Sequence, residues 1–232
     1  MSSKILYEKS LTNMIYVFKD REDAGRALAK KLRSLKGKER VILTIPSGGV
    51  PVGYAIAREL NIPMDVIISR KIQIPYNPEA GFGAVAPDGS MILNEPLVRE
   101  LGLTKGEITS LANQVLDEIG KRNRRFRGDR PLPNLVGKTV VLVDDGLASG
   151  YTMLAAIKSI TKQRPMRIIV AVPTAPFSSA RLVAQHVDKL ICLNMRGSTL
   201  FAVADAYQKW YDLKDDEVMD YIRRAREAGL TC

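Results

Sequence analysis

The stretch VVLVDDGLASGYT, residues 140–152, decides how this chain is read. Val140, Val141, Leu142 and Val143 predict a strand that is apolar on both faces, and such strands belong to parallel sheets covered on both sides. Asp144 and Asp145 follow at once, which puts two carboxylates at the carboxyl end of the strand. Gly146 and Gly150 admit backbone conformations closed to other residues, Ser149 and Thr152 supply hydroxyls, and the pattern predicts a helix from about Tyr151. Several N–H groups then converge on one point, as in a monophosphate cradle. The carboxylates upstream repel that anion and suit sugar hydroxyls, or a magnesium ion with its waters.

Working outward, VILTI (41–45), DVIIS (65–69), RIIVAV (167–172) and KLICL (189–193) read as further buried strands. Helices alternate with them. DREDAGRALAKKLRSL sets Ala24, Ala27, Leu28, Leu32 and Leu35 at helical spacing behind Asp20 as N-cap. VGYAIAREL follows the tight loop PSGGVP, two more helices fall near 151–163 and 178–186, and a capped helix closes the chain from Asp215. The expected fold is α/β, a three-layer parallel sheet flanked by helices, in one domain over residues 1–232.

Residues 72–133 form an excursion from that alternation. GAVAPDGSMIL predicts a hairpin about Asp88-Gly89, and Thr104 with Glu107 forms a capping box that opens a long helix. Its apolar stripe is Ile108, Leu111, Ala112, Val115, Leu116 and Ile119, and it ends in KRNRRFR (121–127), read here as a solvated basic terminus. Ligands of parallel sheets sit outside the carboxyl ends of strands. PSGG, RKIQ and DDGLASGYT meet that rule, so they are expected to face one cleft.

The formal charge of +10 attracts anions without choosing among metabolites, nucleic acid and membranes. Cys192 and Cys232 are too few for a disulfide framework, no apolar run reaches a membrane span, and the first residues lack the apolar core of a signal peptide, so a cytosolic setting is expected. A Walker B strand would also end in two acids, but Gly137-Lys138-Thr139 lacks the upstream glycine of its partner loop and precedes a strand. GFGAVA (81–86) imitates a dinucleotide fingerprint but runs into Pro87, and reads as a turn. His186 has no partner at metal-ligand spacing, and Cys192 reads as core.

Residues 140–152 resemble throughout the signature of the type I phosphoribosyltransferases: an apolar strand, two acids, two variable residues, a small residue, Ser or Thr, Gly, any residue, and Thr or Ser. IPSGGVPVGYAIA is similar to that family's pyrophosphate loop, and FKDREDAGRALA and RKIQIPYNPEAGFGAV resemble a subgroup whose acceptor is not established. The resemblance implies that the segment at 72–133 is a hood. It implies that Asp144 and Asp145 bind the ribose hydroxyls of phosphoribosyl pyrophosphate and are the catalytic acids. Ala148, Ser149, Gly150, Tyr151 and Thr152 would enclose the 5-phosphate; Ser47, Gly48, Arg70 and Lys71 would meet pyrophosphate, Ser47 and Gly48 commonly through a cis peptide.

The reaction implied is transfer of the phosphoribosyl group to a nitrogenous acceptor such as a nucleobase. Magnesium would be the cofactor, held by substrate and water with Asp144 or Asp145 nearby. A homodimer is compatible with it, and neither a membrane nor a nucleic-acid partner is expected. The second class left open is a regulator that senses phosphoribosyl pyrophosphate and binds RNA or DNA through the basic run. Two departures stand out: Ala148 occupies the place where oxopurine-using members carry an acid, and Ser47 that of a basic residue common in the pyrophosphate loop. Phe201, Tyr207, Trp210 and Tyr211 could stack on an acceptor or pack the last helix equally well.

Overall fold

A computed structural model of the protein describes residues 4–33, 39–128, 130–198 and 200–232. Among the described residues six parallel strands form the central sheet in the order β1-β9-β8-β7-β2-β3. They are β1 (Ile5–Tyr7), β2 (Arg40–Thr44), β3 (Met64–Val66), β7 (Thr139–Val143), β8 (Arg167–Pro176) and β9 (Lys189–Arg196). Alternate residues of each strand point to opposite faces. Ile42, Val141, Val143, Ile169 and Ile191 belong to the core under α1 (Arg21–Leu32), α2 (Gly49–Leu60) and α7 (Asp215–Glu227). Val41, Leu43, Val140, Leu142, Val170 and Leu190 meet α5 (Tyr151–Thr161) and α6 (Phe177–Ala184) on the other face. Both cores are apolar, which is why these strands show no polar alternation.

Asp20 caps α1 by accepting from the Asp23 N–H at 2.9 Å. Leu35 lies outside the described residues. DVIIS is shorter as a strand than its composition predicts. β3 ends at Val66, and Ile67 and Ile68 stay buried while the chain turns away, the Ile67 N–H still bonded to the Thr44 carbonyl at 2.9 Å.

Between β3 and β7 the chain builds a separate antiparallel sheet, β4 (Arg70–Ile74), β5 (Asn77–Val85) and β6 (Met91–Leu93), then α3 (Glu95–Glu100) and α4 (Lys105–Arg127). The β5–β6 hairpin turns at Asp88-Gly89 as expected. GFGAVA is not a turn: it lies on β5 up to Val85. A side chain at Gly83 would stand 2.6 Å from the Ile92 carbonyl oxygen, so glycine there allows close pairing of two strands. Both halves of the Thr104–Glu107 capping box are formed at the start of α4. The basic end of α4 is solvated only in part: Lys121, Arg124 and Arg125 are exposed, but its last two residues are not. Phe126 and Arg127 are buried, and Arg127 Nη1 pairs with Asp65 Oδ2 at 2.9 Å and donates to the Val66 carbonyl at 2.9 Å.

Candidate functional site

The strand order reverses between β2 and β7, the place where parallel α/β sheets open a crevice. The two loops at that point are fitted to each other. A side chain added at Gly48 would lie 1.8 Å from Asp145 Oδ2, and one at Gly49 2.7 Å from the Val143 carbonyl oxygen. The glycines of PSGG are thus needed because the carboxylates occupy the space beside them. The Pro46–Ser47 peptide is cis.

Asp144 and Asp145 are more enclosed than their position after the strand suggests. The Asp145 N–H donates to Asp144 Oδ1 at 2.8 Å, and Tyr207 donates its hydroxyl proton to the Asp145 carbonyl at 2.6 Å. Arg21, first residue of α1, donates from Nε to Asp145 Oδ2 at 2.8 Å and from Nη1 to the Tyr211 carbonyl at 3.0 Å. Its guanidinium lies 3.9 Å over Trp210. Burial pushes the Asp144 carboxyl well above the usual carboxylate range, and the Asp145 charge adds to the rise. Burial also raises Asp145, against the opposing charge of Arg21.

Beyond the acids, Leu147 donates its N–H to the Thr174 carbonyl at 3.0 Å, which ties the loop to β8. Gly150 has φ +85°, in the left-handed region, and a side chain there would meet Val183 Cγ2 at 3.1 Å. It caps α5 with no side-chain hydrogen bond, so the first-turn N–H groups of the helix receive no side-chain acceptor from their cap. Ser69, which precedes β4, donates to the Thr152 carbonyl at 2.8 Å and links this turn to the inserted sheet.

The three loops do face common space. A cavity of about 310 Å³ is bordered by Pro46, Arg70, Lys71, Arg122, Asp144 and Thr152. A second, of about 860 Å³, is bordered by Arg21, Ser47, Gly48, Arg70, Lys71, Arg122 and Asp145. Arg70, Lys71 and Arg122 line both, so cations from β4 and α4 stand opposite the carboxylates. A hollow of about 700 Å³ bordered by Glu39, Asn61, Lys138 and Cys232 opens at the amino ends of the strands, remote from these loops.

Two site residues escape sequence reasoning. Arg122 donates from Nη2 to Ser47 Oγ at 2.8 Å and to Asp215 Oδ1 at 2.7 Å. It continues the apolar stripe Ile108, Ala112, Val115, Ile119 at the next helical step, and a basic residue on an apolar stripe is the signal that could have found it. Arg21 gives no comparable signal. Of the C-terminal aromatics, Tyr207 is core, Trp210 borders the larger cavity, and the Tyr211 hydroxyl donates to Glu217 at 2.8 Å.

Among the described residues no group of three or more His, Cys, Asp or Glu could hold a metal, and no helix is long and apolar enough to cross a membrane. The fold, the paired acids and the glycine loop define a phosphoribosyl transferase domain, and the profile of that domain matches residues 13–208: the chain belongs to this family. Among relatives, the Mycobacterium tuberculosis H37Rv protein named "Putative phosphoribosyl transferase Rv0571c" is 37% identical over 217 residues, 92% of this chain and 49% of its own length. The chain thus spans about half the length of the curated relatives it matches. The crystal structure of the protein TT1426 from Thermus thermophilus superposes with a TM-score of 0.74 at 32% identity, covering 89% of this chain and 98% of that one.

Proposed function

We propose that the protein transfers a 5-phosphoribosyl group from phosphoribosyl pyrophosphate to a nitrogenous acceptor. The observation that carries this reading is the fit of Gly48 and Gly49 against Asp145 and Asp144, which makes the two loops one site. Asp144 and Asp145 accept from the ribose hydroxyls, and the N–H groups of residues 148–152 with the Ser149 and Thr152 hydroxyls hold the 5-phosphate. Ser47, Gly48, Arg70 and Lys71 meet pyrophosphate. The basic residue that Ser47 replaces is supplied in space by Arg122, whose guanidinium rests on the Ser47 hydroxyl.

In the reaction the bond from the anomeric carbon to the pyrophosphate oxygen breaks and its electron pair leaves with pyrophosphate. The lone pair of the acceptor nitrogen forms the new bond, and an N–H acceptor gives up its proton to solvent. The protein orients both reactants and holds cations where the leaving group gains charge. Magnesium fits as a companion of the substrate: the two carboxylates are engaged by Arg21 and the Asp145 N–H, an arrangement that offers a metal one or two oxygens and leaves the rest to phosphates and water. When bound, it neutralises pyrophosphate.

The regulator reading finds less support, because Arg122 and Arg127 of the basic run are turned to Asp215 and Asp65, which leaves Lys121, Arg124 and Arg125 as its exposed cations. The test is pyrophosphate release from phosphoribosyl pyrophosphate and magnesium across a panel of bases and amines. Acceptor-dependent release supports the transferase. Salt-dependent binding of RNA or DNA with no release under any acceptor would overturn it.

A further inference from the structure

Arg21 opens α1, and α1 is seated closely on α2, the helix that begins in the PSGG loop. A side chain at Gly25 would stand 2.4 Å from the Val52 carbonyl oxygen and 2.7 Å from Ala55 Cβ, so the two helices are in near-backbone contact. Arg21 therefore leaves the backbone at a point fixed relative to that loop. Its side chain is 8% exposed and that of its partner Asp145 14%.

The guanidinium is held at three places. Nε donates to Asp145 Oδ2 at 2.8 Å, Nη1 donates to the Tyr211 carbonyl at 3.0 Å, and the Trp210 ring lies 3.9 Å from the central carbon. Trp210 packs on Tyr207 with ring centroids 5.2 Å apart, and Tyr207 donates to the Asp145 carbonyl at 2.6 Å. Contacts thus run in a closed circuit from Asp145 through Arg21, Trp210 and Tyr207 back to Asp145. A planar, stacked fork suits such a circuit, and a lysine ammonium does not replace it. On its other side the carboxylate lies against Gly48, where a side chain would come within 1.8 Å of Oδ2. Held by Arg21 and backed by the glycine, the carboxylate has its rotation set. A buried ion pair contributes little net stability beyond what apolar packing would, so the definite consequence of this one is geometric.

We infer that Arg21 is the positioning residue of the sugar site: it sets the Asp145 carboxylate for a ribose hydroxyl, and the Trp210 ring holds Arg21 in that pose. The inference rests on the donor reading above. It makes the discrimination between ribose and deoxyribose depend on a residue that acts only through Asp145.

Calorimetric titration of the full chain with ribose 5-phosphate and with its 2-deoxy and 3-deoxy analogues tests it. At least one deoxy sugar should bind the native protein about tenfold or more weakly than ribose 5-phosphate, as expected for one charge-assisted hydrogen bond. Arg21→Gln should bring that ratio within about threefold while leaving the affinity for the deoxy sugar within about twofold, because the 5-phosphate loop is untouched. Arg21→Lys, which keeps the charge and loses the fork, should do the same. Trp210→Leu should lower the ratio with Arg21 and its hydrogen-bond partners all present, which keeps the test decisive if Arg21→Gln fails to fold. In an Asp145→Asn background Arg21→Gln should leave the ratio where it is. The native ratio in any of the three single variants, equal weakening of all three sugars, or a further change in the Asp145→Asn background overturns the inference. A native protein that binds no ribose 5-phosphate, or binds the three sugars equally, overturns the donor reading and this inference with it.

Discussion

Replacing Arg122 by Gln tests whether a cation from the inserted α4 serves the pyrophosphate loop. Arg122 Nη2 stands 2.8 Å from Ser47 Oγ and 2.7 Å from Asp215 Oδ1, so its charge is shared between the loop and α7. A charge-assisted hydrogen bond contributes about 1.5–3 kcal/mol, which translates to a loss of roughly ten- to a hundredfold in affinity. Competition from Asp215 argues for the lower part of that range, and Asp215→Asn should tighten binding for the same reason. The assay is calorimetric titration of magnesium pyrophosphate, with ribose 5-phosphate as the ligand that lacks the relevant group. Pyrophosphate should weaken and ribose 5-phosphate should not. Unchanged pyrophosphate affinity, or equal weakening of both ligands, would refute the reasoning.

Asp144→Asn should stabilise the fold at neutral pH while impairing donor binding. The folded carboxyl is raised above its ordinary value of 3.8, so the unfolded chain loses its proton first and stability falls as pH rises from there through the folded value; thermal melts should show the variant's advantage vanishing below that ordinary value. Arg127→Met should lower stability by about 3–5 kcal/mol, because it strands the buried Asp65. Adding Asp65→Asn should recover part of that loss in denaturant titrations. Gly150→Val should weaken ribose 5-phosphate binding and destabilise the fold by at least about 1–2 kcal/mol, since it forces a branched residue to φ +85° against Val183; an unaltered dissociation constant would mean that the phosphate lies elsewhere.

The parallel core was legible because each of its longer strands is apolar on both faces and bounded by a helix or a glycine loop. The three-residue β1 carries too short a pattern to be seen, and the first part of β5, before the hairpin arm that begins at Gly83, was hidden by Gly81 and Gly83, which usually mark turns but here permit close strand pairing. The chemistry of 140–152 could be read locally, since its donors and acceptors are consecutive. Arg122 could not, because its partners Ser47 and Asp215 are 75 and 93 residues away. Strand β9 runs three residues beyond KLICL to Arg196, and only the packing of β9 leaves the Nε and Nη1 of that arginine buried and unfilled.

The central claim is that Asp144 and Asp145 with the glycine loop beside them form a phosphoribosyl pyrophosphate site, and ligand-induced stabilisation measures it most directly. At about a hundredfold excess over its dissociation constant a ligand adds about 2.7 kcal/mol. For a chain of this size that is a rise of roughly 5–11 °C in melting temperature. The native protein with phosphoribosyl pyrophosphate and magnesium should show that rise, and the Asp144→Asn, Asp145→Asn double variant should lose it while remaining folded. No rise in the native protein, or the same rise in the double variant, would contradict the account.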